Sequence, residues 1–268
     1  MSGQAKTVEV LEQGAVAVVE LNRPEALNAW NRQFGEDLLA AVQRASADPG
    51  VRAVLIRGAG RGFSSGADLK DMSGREERTP EGHVDVHTTL TERYHPIIRG
   101  IRAMEKPVIA AVHGPAVGIG LSLALSCDLI LAAESAYFLL AFVNIGLVPD
   151  GGSSLFVPSR IGFTRALEMS MLGERIPASR ALDWGLINAV HPDDELHASA
   201  EELAQRLAAG PTRAYAAIKR QLNNWLYSRI EEQLELEADV QQEMAGSGDF
   251  LEGVLAFMQK RPAQFGGS

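Results

Sequence analysis

The sequence predicts an α/β fold, and three observations carry that expectation. Short apolar runs of strand length alternate with stretches of helical periodicity through the first two-thirds of the chain. Glycine-rich turns separate many of them, and from Glu201 onward the pattern is helical throughout.

Val16 to Leu21 reads as a strand closed by Asn22-Arg23-Pro24. Asn31 suits a helix N-cap, because its side chain can accept from a first-turn N–H, and Leu38, Leu39, Val42 and Ala45 then fall on one face. Asp48-Pro49-Gly50 ends that helix, and Val51 to Ile56 is the next strand. The turn Gly58-Ala59-Gly60-Arg61-Gly62 leads into Phe63-Ser64-Ser65-Gly66-Ala67-Asp68-Leu69. The polar stretch Lys70 to Arg93, interrupted by Gly74, Pro80 and Gly82, predicts a mobile flap rather than packed core. Val108 to Val112 reads as a buried strand, Gly114 to Gly120 as a tight turn, Leu121 to Leu125 as the helix it opens and Leu129 to Ala133 as a further strand. In the tail, Thr212 is expected to cap a helix over Arg213 to Tyr227, and an acidic stretch holds Glu231, Glu232, Glu235 and Glu237. The last helix carries Phe250, Val254, Phe257 and Met258 at helical spacing, a face that needs a partner surface. The expected organisation is a core over residues 1–200 and a helical region over 201–268.

With 268 residues, 46% of them hydrophobic, the chain can bury a sizeable core. The start, Met1 to Val10, lacks a signal pattern and no apolar run reaches spanning length, so a cytoplasmic protein without a membrane partner is expected. A formal charge of −9 disfavours nucleic acid as a partner. The single cysteine, Cys127, excludes an internal disulfide and lies in an apolar run, where packing is its expected role.

Gly118-Ile119-Gly120 follows a strand and opens a helix, but Leu123 stands where a dinucleotide fingerprint needs its third glycine and no acidic residue lies around Phe138 to Leu140. What survives is a helix N-terminus with free N–H groups, which favours negative charge. Gly62-Phe63-Ser64-Ser65-Gly66 satisfies the nucleophile-elbow spacing, and Asp150 and His191 follow in the hydrolase order, which opens a thioesterase reading through Ser64. The segment after it, Ala67 to Gly74, offers only a short helix, and small residues there also suit a tight turn against a ligand. The six histidines, among them His83 and His87 spaced for one helical face, form no metal-ligand pattern, so no metal is expected. Asp150, in Gly146-Leu147-Val148-Pro149-Asp150-Gly151-Gly152, follows the apolar run Tyr137 to Val143. It reads either as a desolvated acid–base group or as a solvated turn residue.

These segments together resemble the crotonase (enoyl-CoA hydratase/isomerase) superfamily. The resemblance rests on Asn22 to Ala29, Phe63 to Lys70, Lys106 to Gly114, Cys127-Asp128-Leu129, Gly146 to Pro149 and Glu252-Gly253 to Lys260-Arg261, in order along nearly the whole chain. It implies a crotonase-type spiral of ββα units whose helical C-terminal region builds homotrimers, often paired into hexamers, and an acyl-CoA substrate with no further cofactor. It also implies that the N–H groups of Ala67 and Ile119 hold the thioester oxygen, where donors aimed at a growing enolate charge stabilise the transition state most. Coenzyme A is expected near Ala26 and Ser65, Gly66, Ala67, Asp68 and Leu69, with Gly118, Ser122 and Phe142 around the acyl group and Phe257 and Lys260 reaching in from the tail.

Two departures narrow the chemistry. Ile119 replaces a common glycine, and the two glutamates typical of hydratases match Ser122 and Phe142. Hydration needs one group to activate water and another to protonate carbon. Asp150 matches the aspartate of ring 1,2-epoxyphenylacetyl-CoA and Δ3,Δ2-enoyl-CoA isomerases, and a double-bond shift needs only one base. The expected function is an acyl-CoA isomerase with Asp150 as base. The alternatives are an enoyl-CoA hydratase, the Ser64 hydrolase and a catalytically silent acyl-CoA binder.

Overall fold

A strand precedes those read from the sequence. In the computed structural model, which describes residues 6–69 and 78–268, β1 (Val8–Gln13) pairs antiparallel with β2 (Val16–Leu21). Val8 is buried while Glu9, Leu11 and Glu12 are exposed, as befits an edge strand with one wet face. Parallel pairing continues through β3 (Ala53–Gly58), β4 (Val108–Val112), β6 (Leu129–Ala133) and β9 (Ala189–His191), giving the order β1-β2-β3-β4-β6-β9. The middle strands are buried almost without interruption, which is why they read as apolar runs rather than alternations. Three short strands, β5 (Pro115–Val117), β7 (Tyr137–Leu139) and β8 (Ile176–Pro177), form a second sheet.

Helix α1 (Arg32–Ala47) starts as expected, with the Asn31 side chain accepting from the Phe34 N–H at 2.9 Å. The expected flap is corrected where the structure describes it. Residues 70–77 lie outside the described residues, but α2 (Val86–Thr89), a wide π-type turn (Leu90–Tyr94) and α3 (His95–Ala103) run on as one packed helix. Val86, Leu90, Ile97, Ile98 and Ile101 are buried along it. Pro96 explains both the widening and the missed reading: it has no N–H to give the preceding turn, so the backbone bulges and the apolar period slips.

Helix α4 (Ile119–Ser126) is buried on every side, and it starts at Ile119, earlier than the sequence suggested. Then follow α5 (Ser153–Leu172), α6 (Ala178–Trp184), α7 (Leu196–Ala209), α8 (Thr212–Leu226), α9 (Ile230–Ala245) and α10 (Gly248–Gln259). Residue 200 falls inside α7, which lies across β3, β4 and β6. Thr212 is not a cap: it is the first residue of α8, and its hydroxyl accepts from Arg52 Nε at 3.0 Å. Nor do the four apolar residues of α10 share a free face, since Phe250 is buried in its own chain and Val254 packs on the core, leaving Phe257 and Met258 exposed. Ile218, Leu222, Trp225 and Leu226 on α8, and Leu251 and Leu255 on α10, are also among the large apolar side chains left exposed. No helix among the described residues is long and apolar enough to cross a membrane.

Candidate active site

Asn28, one of the residues that carry the resemblance, ties the segment around Arg23 to the turn over residues 59–62. Fully buried, it accepts from the Arg23 N–H at 2.8 Å and donates to the carbonyls of Ala59 (3.0 Å) and Gly62 (2.8 Å). Ser65 then donates to the Ala26 carbonyl at 3.2 Å, so two of the expected coenzyme A residues are neighbours. Asp68 forms an ion pair with Arg23 at 3.1 Å, and Leu69 closes the segment with an N–H to the Ala67 carbonyl at 3.1 Å.

Trp30 brackets Ala67. Its N–H donates to the Gly66 carbonyl (2.8 Å) and its carbonyl accepts from the Asp68 N–H (3.0 Å), a strand-type bridge that turns the Ala67 N–H to the opposite side. Gly66 lets this segment approach the start of α4: at its φ of +91° a Cβ would lie 2.9 Å from the Val117 carbonyl oxygen and 3.9 Å from Gly118 Cα. Ile119 is the first residue of α4, where an N–H has no carbonyl to bond within the helix. Among the described residues neither the Ala67 nor the Ile119 N–H has an acceptor. The Phe142 ring lies 3.7 Å from where a Gly118 side chain would begin, so Phe142 borders the same spot.

Asp150 reaches this place through a bond the sequence did not reveal: Ser122, one turn into α4, donates to the Asp150 carbonyl at 2.7 Å. Gly151, with φ of +61°, is required next, since a Cβ there would lie 2.4 Å from Ile119 Cδ1. Asp150 is only 5% exposed. Gln241 donates to its Oδ2 at 2.7 Å, while Oδ1 has no partner among the described residues. Burial pushes this carboxyl up to about 8, against the donor from Gln241 and helped by the charge of Glu237. The solvated-turn reading of Asp150 is therefore set aside. Glu237 is a second buried carboxylate, pushed by burial up to about 7, but Gly152 N–H (2.7 Å), Ser154 N–H (3.0 Å) and the Ser154 hydroxyl occupy it. Glu237 and Gln241 lay hidden because an acidic stretch in the helical tail reads as a solvated face.

The remaining candidates fall elsewhere. Ser64 is fully buried and spends its hydroxyl on the Asn28 carbonyl at 2.8 Å, no helix follows it over the described residues 65–69, and His191 is on strand β9. That is not a nucleophile elbow. Phe257 and Lys260 stand on the exposed end of α10, whose other end packs against the turn Phe142–Ile145. His83 lies in a bend before α2, so it shares no helical face with His87. His87 instead sets Nε2 3.5 Å from both Glu235 and Asp239 of α9, a grouping of metal-type donors that sequence spacing does not reveal, although both carboxylates are exposed. Cys127 is buried, with its thiol pushed up to about 12 by burial, and fills core space.

Comparison with known proteins matches the chain along nearly its whole length. The family model described as enoyl-CoA hydratase/isomerase matches residues 11–268. A probable enoyl-CoA hydratase of Rhodobacter capsulatus is 41% identical over 94% of this chain and 95% of its own length. The 1,2-epoxyphenylacetyl-CoA isomerase of Escherichia coli is 38% identical over 96% of this chain and 97% of its own. The crystal structure of an enoyl-CoA hydratase from Mycobacterium avium subsp. paratuberculosis superposes with a TM-score of 0.86, at 39% identity, covering 97% of this chain and 98% of that one.

Proposed function

We propose that this chain, which belongs to the enoyl-CoA hydratase/isomerase family, is an acyl-CoA isomerase that moves a double bond along the acyl chain. The observation that carries the reading is Oδ1 of Asp150, the one buried carboxylate oxygen without a partner among the described residues, in a segment that Ser122 ties to α4 through the Asp150 carbonyl and whose Gly151 packs against Ile119. In the proposed step a C–H bond beside the unsaturation breaks, its proton goes to Asp150 Oδ1 and its electron pair spreads into the thioester carbonyl. The enolate oxygen is held by the Ala67 and Ile119 N–H groups, at the positive end of the α4 dipole. The same proton returns to the carbon two places away, so no oxidant, water or second acid is consumed. A base with its pKa near the working pH suits both halves of that exchange.

Hydration is the second reading, favoured by the description of the Rhodobacter relative. It needs a second proton-transfer group, and Glu237, the other buried carboxylate among the described residues, has its oxygens committed to Gly152 and Ser154. Incubation with a 3-enoyl-CoA and, separately, with crotonyl-CoA distinguishes the two. Conversion of the first to its 2-enoyl isomer, with little water added to the second, is expected; rapid hydration without isomerisation would sink the isomerase reading. The rate should climb as pH rises toward about 8, because only ionised Asp150 can take a proton.

A further inference from the structure

Helix α9 presents a row of polar side chains at four-residue spacing, Gln233, Glu237 and Gln241, to the segment that carries Asp150. Gln233 donates to Ser154 Oγ at 2.9 Å. Glu237 accepts from Gly152 and Ser154, as described above. Gln241 works in both directions, donating to Asp150 Oδ2 at 2.7 Å and accepting from the Val148 N–H at 3.1 Å. Glu237 is 3% exposed and Gln241 1%. A helix face whose only task was packing would be cheaper to bury with leucines, because buried polar groups must recover their lost hydration bond by bond. What a polar row adds is a fixed register: each bond is met only if residues 148–154 hold one position relative to α9.

That position has a chemical consequence. With Oδ2 occupied by Gln241, the Asp150 carboxyl keeps its other oxygen without a partner among the described residues inside a nearly solvent-free site, and an unsatisfied atom of this kind marks a place where a ligand completes the bonding. We propose that Gln241 and Glu237 are positioning residues for the proton-transfer step, Gln241 by holding Oδ2 and Glu237 by pinning the Gly152 to Ser154 turn, so that Oδ1 alone meets the substrate. This rests on the isomerase reading. Both residues act on Asp150 and its turn, not on the thioester, so they should govern the rate of the bound complex and leave binding alone.

The test compares Gln241→Met, close in size but without either hydrogen bond, and Glu237→Gln, which keeps the shape but replaces one of the two acceptor oxygens with an N–H donor facing Gly152 or Ser154. Each is assayed on a 3-enoyl-CoA well below its thermal unfolding midpoint, with Asp150→Asn alongside. About a tenfold fall in kcat for each variant is expected, with KM within about twofold of the unmodified protein. Full kcat in both variants, while Asp150→Asn is inactive, would overturn the positioning role and leave the base in place. A loss that vanishes when rates are compared at equal folded fraction would overturn it too. Failure of the unmodified protein to shift any double bond, or full activity in Asp150→Asn, would be a different failure, removing the reading on which the proposal stands.

Discussion

Asp150→Asn is expected to disable the enzyme and stabilise the fold, and the two effects have one cause. The folded protein holds this carboxyl at about 8 against an ordinary 3.8, mainly because burial strips water from the charged form. A folded-state pKa above the unfolded one means the native state binds more protons between those values, so the contribution of this group to stability is full below the unfolded pKa and is lost as pH rises to about 8. A displacement of about four in pKa corresponds to a ceiling of about 5 to 6 kcal/mol. Water drawn in on ionisation lowers the realised difference, and we expect at least about 2 kcal/mol. Asparagine cannot ionise, yet its carbonyl can still accept from Gln241, so the variant keeps the bond and escapes the cost. Urea unfolding of both proteins from about pH 4 to pH 9 should give curves that nearly coincide at the acid end and separate steadily, the variant ahead, up to about pH 8. Turnover should meanwhile fall about 100-fold or more, with acyl-CoA affinity little changed. A gap that does not widen with pH would refute the burial argument, and retained activity would refute the assignment of the base.

Ile119→Pro removes one of the two free N–H groups at a helix position that tolerates proline; kcat should drop by about 100-fold or more with a stability loss of no more than about 2 kcal/mol, and an unchanged kcat would mean that this N–H does not hold the thioester oxygen. Gly151→Ala forces a side chain into a left-handed backbone against Ile119, and a loss of about 2 to 4 kcal/mol in denaturant unfolding is expected; a cost below about 1 kcal/mol would show that the turn is free to move. The exposed row Ile218, Leu222, Trp225 and Leu226 should be covered by further copies of the chain, giving a trimer or hexamer in sedimentation analysis at micromolar concentration. A monomer that persists there would refute that expectation.

What the sequence determined by itself was whatever local chemistry repeats along the chain. Val108 to Val112 and Leu129 to Ala133 are strands because a sheet covered on both faces requires unbroken apolar runs, and Asn31 caps α1 because its side chain needs only the N–H three residues on. Ala67 and Ile119 could be singled out only through the family resemblance, and the local setting of Asp150 left it open between an acid–base group and a turn residue until that resemblance was added. The wide turn before α3 was obscured by Pro96, which shifts the apolar period that would otherwise have announced a helix. The chemical state of Asp150 was decided by tertiary structure alone. Gln241 and Glu237 come to it from helix α9, and nothing in their own stretch separates a buried polar row from a solvated one: the spacing and the residue types are the same. Only when the core closes over that helix does water leave, and the departure of water is what raises a carboxylate's proton affinity and makes each remaining hydrogen bond decisive.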